Sequence, residues 1–410
     1  MTIPRAAERL SPEVIADPEA LWDRLRHEGP VHELPGLGIV VVTRHEDVCR
    51  VARRPDIFSS KLVAVLMASQ SEFPQVLDVR AAGPEQADAL AIADPPEHTR
   101  QRQLLNPAFN VRRIAGLEPA IRALANSLAD GFAPDGAVEW MEGFAVPLPM
   151  TVIADLLALP RDRLADVRRW SDACIRLLSG TNTPADFLEC AGAIVEFQTF
   201  LAAHLDHHRA APGDDVMGDL ARAVDAVPPV LSVAEALNIL VTLVTAGNES
   251  TTSGIGSAAR LLLAHPEVQR RLGRERAAIP AFVDEVLRLE SPFHGHFRVA
   301  LADTEIGGVA IPAGTRLMLL WGSANRDADV FSCPGDLDLS RPNVKEHVAF
   351  GHGIHFCLGA PLARLEMRIA IEILLDRLPG AHLTPTNDYR YAPSLLVRRL
   401  KALDLAWTPA

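Results

Sequence analysis

Ser232-Val-Ala-Glu235 opens the longest helical pattern in the chain, and that pattern constrains the fold more than any other feature. A serine followed three residues later by glutamate is a capping box, in which both side chains answer amide N–H groups that the first helical turn leaves free. The apolar rhythm then runs on to His265, and Pro266 ends it. At 1.5 Å per residue such a helix extends about 50 Å, enough to cross the molecule, so the other elements must pack around it. Helical patterns fill most of 96–290, broken at Pro160, 181–184, 211–215 and Pro228-Pro229. Short strand signals lie at 31–34, 38–43, 298–320 and beyond 382, and 58–93 reads as a long ordered loop. The expected class is mainly α with minor β.

A second constraint is Phe350-Gly351-His352-Gly353-Ile354-His355-Phe356-Cys357-Leu358-Gly359, which sets one cysteine between a glycine-punctuated loop and a new helix. Gly351, Gly353 and Gly359 let the backbone lie close to a flat ligand and take turns that other residues resist. Pro361, Leu362, Leu365, Ile369 and Ile373 share one helical face, placing Cys357 at the positive end of a helix dipole, where a thiol pKa is expected to fall. That is the setting of a thiolate metal ligand. The segment resembles the haem-binding loop of the cytochrome P450 family, Phe-Gly-x-Gly-x-His-x-Cys-x-Gly, at every fixed position. A buried free cysteine would leave the glycines, Phe350 and His355 unexplained. A zinc site from His352, His355, Cys357 and Cys333 has the right ligand types, but structural zinc usually draws on closely spaced pairs.

The resemblance spans roughly 11–408 and implies one P450 domain over 1–410, a triangular helical body with small sheets toward the N-terminal side. Haem b would lie between the long central helix and the Cys357 loop. Inside that helix, Ala246-Gly247-Asn248-Glu249-Ser250-Thr251-Thr252 is similar to the segment whose acid and alcohol deliver protons during oxygen activation. Ser250 replaces the usual threonine, and Thr251 is a second candidate alcohol. A mid-helix glycine costs roughly 1 kcal/mol against alanine, and close approach of a ligand is one reason for Gly247. Asp94-Pro-Pro-Glu-His-Thr-Arg-Gln-Arg102 resembles the family's third helix. By resemblance His98, Arg102, Arg298 and His355 bind the haem propionates, and Ala246, Gly247, Phe350, Gly351 and Gly359 lie against the cofactor. Glu285-Val-Leu-Arg288 resembles the family's Glu-x-x-Arg pair, with Arg341 as the third, structural partner.

The implied activity is haem-thiolate monooxygenation, one oxygen atom of O2 entering a small to medium apolar substrate. A terpenoid, steroid, polyketide or aromatic natural product, as in secondary metabolism, fits this reading. Thiolate donation favours O–O cleavage. The chain shows no flavin, nicotinamide or iron–sulfur fingerprint, so electrons are expected from a ferredoxin and its reductase, with Arg100, Arg112, Arg113, Lys345 and Arg364 offering a basic docking face. Pocket candidates by family position are Leu240, Leu243, Val244, Phe293, His294, Leu395 and Leu396, with His296 as a second polar insertion and Met67, Phe73, Leu77 and Leu90 in the covering loop. Two alternatives use the same fold: a haem-bound ligand carrier or sensor without turnover, or a peroxide-dependent oxidase or desaturase.

A net charge of -12 argues against a nucleic-acid partner, which normally demands a basic face. Five cysteines without short-range pairing suit a reducing compartment, and no signal-type or membrane-length apolar run is present, so a cytoplasmic monomer is expected.

Overall fold

The computed structural model describes residues 18–34, 37–61, 64–67, 75–78 and 87–409. The capped helix runs Val233–Ala264, and its Ser232–Glu235 box is closed in both directions. Residues 251–259 of that helix are buried all round, which explains a run of Thr, Ser, Gly and Ala where an amphipathic helix would alternate. Small residues let neighbouring helices come close. A Cβ added at Gly254 would lie 2.8 Å from the Met367 sulfur, and one at Gly256 would lie 2.6 Å from that of Met141. Met367 belongs to the helix Ala360–Arg377 that follows the cysteine loop, so the two helices cross there. From the crossing, Ala246 and Cys357 each lie about two to three turns back along the chain.

The four expected breaks are present, and the structure adds one more, the strand Ala137–Glu139, which pairs with Asp404–Ala406 near the chain's end. Helices Pro147–Leu156, Leu164–Leu177, Pro184–Ala210 and Val216–Asp225 lead up to the long helix and pack into one apolar core with it. Within 58–93 the expectation of a plain loop is corrected. Ala64–Met67 pairs antiparallel with Gln75–Asp78, and Leu90–Ile92 forms a single tight turn. The alternation is only four residues long on each side, too short to stand out from a loop.

The largest sheet has five strands in the order Val31–Leu34, Ile39–Val42, Arg316–Leu320, Gly295–Ala300 and Phe58–Ser59. Ile39–Val42 and Arg316–Leu320 run parallel, while the other neighbours are antiparallel. Side chains separate by parity, as a pleated strand requires. Ile39, Val41, Met318 and Leu320 pack with Trp22 of the first helix, Glu19–Glu28, whereas Val42, Leu317 and Leu319 pack with Val48 and Trp321 on the other face. No described helix is long and apolar enough to cross a membrane.

Glu290 ends the helix Ile279–Glu290, fully enclosed, and accepts from Arg260 at 2.7 Å and Arg398 at 3.0 Å. Burial pushes its carboxyl upward, but Arg398 and Arg260 outweigh that and hold it at about 2. The folded value thus lies below the unfolded one near ~4.3, so this stabilisation is complete above about pH 5 and is lost as pH falls toward 2. Its size is about 3 kcal/mol. Glu290→Gln is expected to be less stable than the parent at pH 7 and to approach it as pH falls. Denaturant midpoints at pH 7 and pH 3 measure this, and a gap that stays constant with pH contradicts it.

Candidate functional site

The cysteine loop is built by backbone constraints before any ligand is considered. Gly351 and Gly353 sit at φ +71° and +73°, in the left-handed region, and a Cβ on Gly353 would come 2.2 Å from the Ala52 carbonyl oxygen. The loop is therefore pressed against the end of the helix His45–Ala52, where Arg53 Nε also donates to His352 Nε2 at 2.6 Å. The Cys357 amide donates to the Phe350 carbonyl at 2.9 Å and closes the turn. Phe350 is covered by the Arg364 guanidinium, 4.5 Å from its ring centre. The amides of Gly359 and Ala360 point at the sulfur, as the start of a helix should arrange. The expected fall in thiol pKa is nevertheless corrected. Burial is the largest influence and pushes the Cys357 thiol up, against the pull of those amides, Arg102 and Arg364. A desolvated sulfur of this kind needs a bound cation to stay a thiolate.

Beside it lies a cluster of basic groups drawn from three distant segments. The His98 and His355 rings lie with centres 4.2 Å apart, tilted at 52°, and Arg102, His296 and Arg298 lie within electrostatic reach of His355. The Arg298 guanidinium, almost wholly buried, makes one hydrogen bond among the described residues, to the Phe297 carbonyl at 2.7 Å. Burial lowers its pKa to about 10. Burial and then Arg102 take His98 to about 4, and burial with Arg298 and three other basic neighbours takes His355 to about 2. Asp94 attracts His98 and Arg298, yet its oxygens already accept from Ser59 Oγ and the Ser60 amide. The described side chains thus put five basic groups around one committed carboxylate, and a ligand carrying two carboxylates would reverse every one of these penalties. A haem with its propionates fits. Sequence reasoning missed Ser60, which bonds His355 Nε2 at 2.8 Å, and placed His296 with the substrate. His296 instead accepts from Trp321 Nε1 at 2.7 Å and faces Arg298.

On the long helix Ala246 is exposed and Ser250 half-buried, an open stretch in its middle. Ser250 Oγ donates to the Ala246 carbonyl at 2.9 Å. Thr251 is buried away from this stretch. A Cβ on Gly247 would also meet the Ile153 side chain at 3.1 Å. Glu249 is buried and accepts from Arg399 at 2.8 Å; burial still pushes its carboxyl up. Arg399 lies 3.6 Å from Asp172, Asp172 lies 3.8 Å from Arg168, and Arg168 donates to Glu142 at 2.6 Å, so alternating charges lead from Glu249 to the surface. Arg399 is 150 residues from Glu249 and carries no local signal that could have revealed it.

Glu285 and Arg288 are completely buried. Two guanidinium nitrogens of Arg288 donate to Glu285 at 2.7 and 3.0 Å, and Arg341 Nε adds a third bond at 3.0 Å. The remaining donors bond carbonyls of the 325–336 meander: Arg288 reaches Asn325, Pro334 and Asp336, and Arg341 reaches Ser332, Cys333 and Asp336. This network pins the segment leading into the cysteine loop. The zinc alternative is not formed: among the described residues no group of three or more His, Cys, Asp or Glu is placed to hold a metal ion.

Leu240, Leu243 and Val244 are buried in the main core, and Leu396 is buried against the sheet. Phe293 lies against His296 with ring centres 5.2 Å apart, while His294 leaves the same backbone run on the other side, toward Trp22 and Leu395. Met67 and Leu77 line a separate apolar recess with Phe187 and Leu188. Leu90 is in the core, and Phe73 lies outside the described residues.

A cysteine on a glycine loop, beside two arginines and three histidines that share one committed carboxylate, defines a haem-thiolate site. Comparison with known proteins gives the same class. Residues 220–382 match the family model described as Cytochrome P450. The chain is 35% identical over 408 residues to Cytochrome P450 144 of Mycobacterium tuberculosis, covering 99% of this chain and 93% of that one. It is 32% identical over 405 residues to Cytochrome P450 monooxygenase PikC of Streptomyces venezuelae, covering 97% and 93%. The crystal structure of CYP109E1 from Bacillus megaterium in complex with testosterone superposes with a TM-score of 0.86 at 30% identity, over 97% of this chain and all of the other. The chain belongs to the cytochrome P450 family, and it is a P450 monooxygenase whose cofactor is haem b.

Proposed function

We propose that this P450 oxidises a small to medium apolar organic molecule in the cytoplasm with electrons from a ferredoxin and its reductase, and that Cys357 is the iron ligand. The observation that carries the reading is the cluster of five basic groups around one committed carboxylate beside Cys357. His98, Arg102, Arg298 and His355 would hold the propionates, and His296 stands beside them. When bound, haem supplies the oxygen-activating chemistry. The apolar recess between the Ala64–Met67 hairpin and the helix Pro184–Ala210 suits the entrance of an oily substrate, as does a structural relative that holds testosterone. Of the proposed docking residues, Arg112 and Lys345 are exposed, whereas Arg100 is paired with Glu235 and Arg364 with Asp284.

The proton path is assigned to Glu249 and Ser250. Glu249 sits at the inner end of the charged chain to Glu142, and its raised pKa favours holding a proton. Ser250 Oγ is committed to the Ala246 carbonyl in this rotamer, and turning about Cα–Cβ frees it toward the open stretch. Serine lacks the methyl that stiffens threonine, so this turn is easy. Ser250→Ala is expected to keep haem and substrate binding but to divert most reducing equivalents into peroxide or water, while Ser250→Thr keeps or improves coupling. The measurement is product formed and peroxide released per reduced nicotinamide consumed, with a surrogate ferredoxin system. Equal coupling in Ser250→Ala and the parent removes Ser250 from the path.

A further inference from the structure

His294 is the one histidine of the sheet-entry segment that faces away from the basic cluster. It is 5% exposed, and neither ring nitrogen has a hydrogen-bond partner among the described residues. Its backbone is fixed on both sides: its amide donates to Leu396 O at 2.7 Å, and its carbonyl accepts from the Gly322 amide at 3.2 Å. The backbone from which the ring projects is therefore held in place. It meets the Trp22 ring edge-on with centres 5.1 Å apart. Both line an apolar chamber under the first helix, walled by Leu37, Val41, Met318, Leu320 and Leu395. The chamber has a volume of about 100 Å³, well above the roughly 10–15 Å³ that one water requires. Ala246, Gly247, Ser250 and Cys357 are not among its walls.

A buried polar ring normally finds a partner in the protein or in water, and one that finds neither in an oily chamber is poised for a ligand. We propose that this chamber is a second, non-catalytic binding site for a neutral apolar molecule bearing one hydroxyl or carbonyl oxygen, which hydrogen-bonds His294. Neutrality follows from the surroundings. Burial, then Arg398, lower the His294 pKa to about 3 against the opposing pull of Glu290, so the ring is uncharged at pH 7. An uncharged imidazole provides one N–H donor and one lone pair, which suits an alcohol or ketone. It offers nothing to offset the desolvation of a carboxylate in this chamber.

The test uses the full-length haem-loaded protein with three matched probes: iodobenzene, 3-iodobenzyl alcohol and 3-iodobenzoate. Calorimetry measures affinity, the Soret spectrum reports binding next to iron, and anomalous scattering from soaked crystals locates the iodine. The alcohol is expected beside His294 and Trp22, about 5- to 10-fold tighter than iodobenzene, with the benzoate weakest and the Soret band unmoved. In His294→Phe the advantage of the alcohol over iodobenzene should disappear. Leu37→Trp, which fills the chamber while keeping the histidine in the chain, should abolish binding of both. No iodine in the chamber, binding that appears only as a Soret shift, or an advantage that survives in His294→Phe overturns the proposal. Because the proton path is tested by coupling and this site by Soret-silent binding, either reading can fail without the other.

Discussion

Arg288→Ala is expected to yield little folded, haem-loaded protein, with a loss of about 3–5 kcal/mol in unfolding free energy. The size follows from what the substitution leaves behind. Glu285 would keep a buried charge answered by Arg341 and the Asp338 amide alone, and the Asn325, Pro334 and Asp336 carbonyls would each lose a donor. Arg288→Lys keeps the charge but lacks the planar fork that spans carboxylate and carbonyls together, so it should recover only part of the loss. Denaturant unfolding and haem content measure both variants. An Arg288→Ala protein within about 1 kcal/mol of the parent would place the network among surface-like ion pairs, contrary to its complete burial.

Cys357→Ala should behave in the opposite way, eliminating product formation while leaving the polypeptide folded. The loop is held by the Gly353 contact with Ala52, the Arg53–His352 bond and the Cys357 amide to Phe350, none of which uses the sulfur. Before haem is loaded, the far-UV spectrum and thermal midpoint of the variant should therefore match those of the parent. With haem offered, the variant should give no turnover even with electrons in excess. Measurable product at a tenth of the parental rate or more would remove the assigned ligand.

Much of this molecule was legible in the sequence because its strongest constraints are local. The Ser232–Glu235 box and Pro266 delimit the long helix through hydrogen bonds within a few residues, and the structure runs it Val233–Ala264. Gly351 and Gly353 announce a left-handed backbone that only the turn itself requires. What escaped depended on partners far away in the chain. Glu249 looked like a lone acid, and only folding brings Arg399 to it. Gly247 suggested room for a ligand, and folding also packs it against Ile153, a contact with no sequence signature. His294 and His296 are two residues apart, and alternation would put them on one face. The strand begins only at Gly295, however, so the two rings diverge, one to the Trp22 chamber and one to Trp321. The thiol pKa was misjudged because dipole logic sees the helix start, while desolvation depends on the whole surrounding wall.

The central claim, that Cys357 binds haem iron as a thiolate, is tested most directly by the reduced carbon monoxide difference spectrum of the purified, haem-loaded protein and of Cys357→Ala. The account predicts the strongly red-shifted Soret band of thiolate ligation in the parent and its complete loss in the variant. An unshifted band in the parent, or the same red-shifted band in Cys357→Ala, would contradict it.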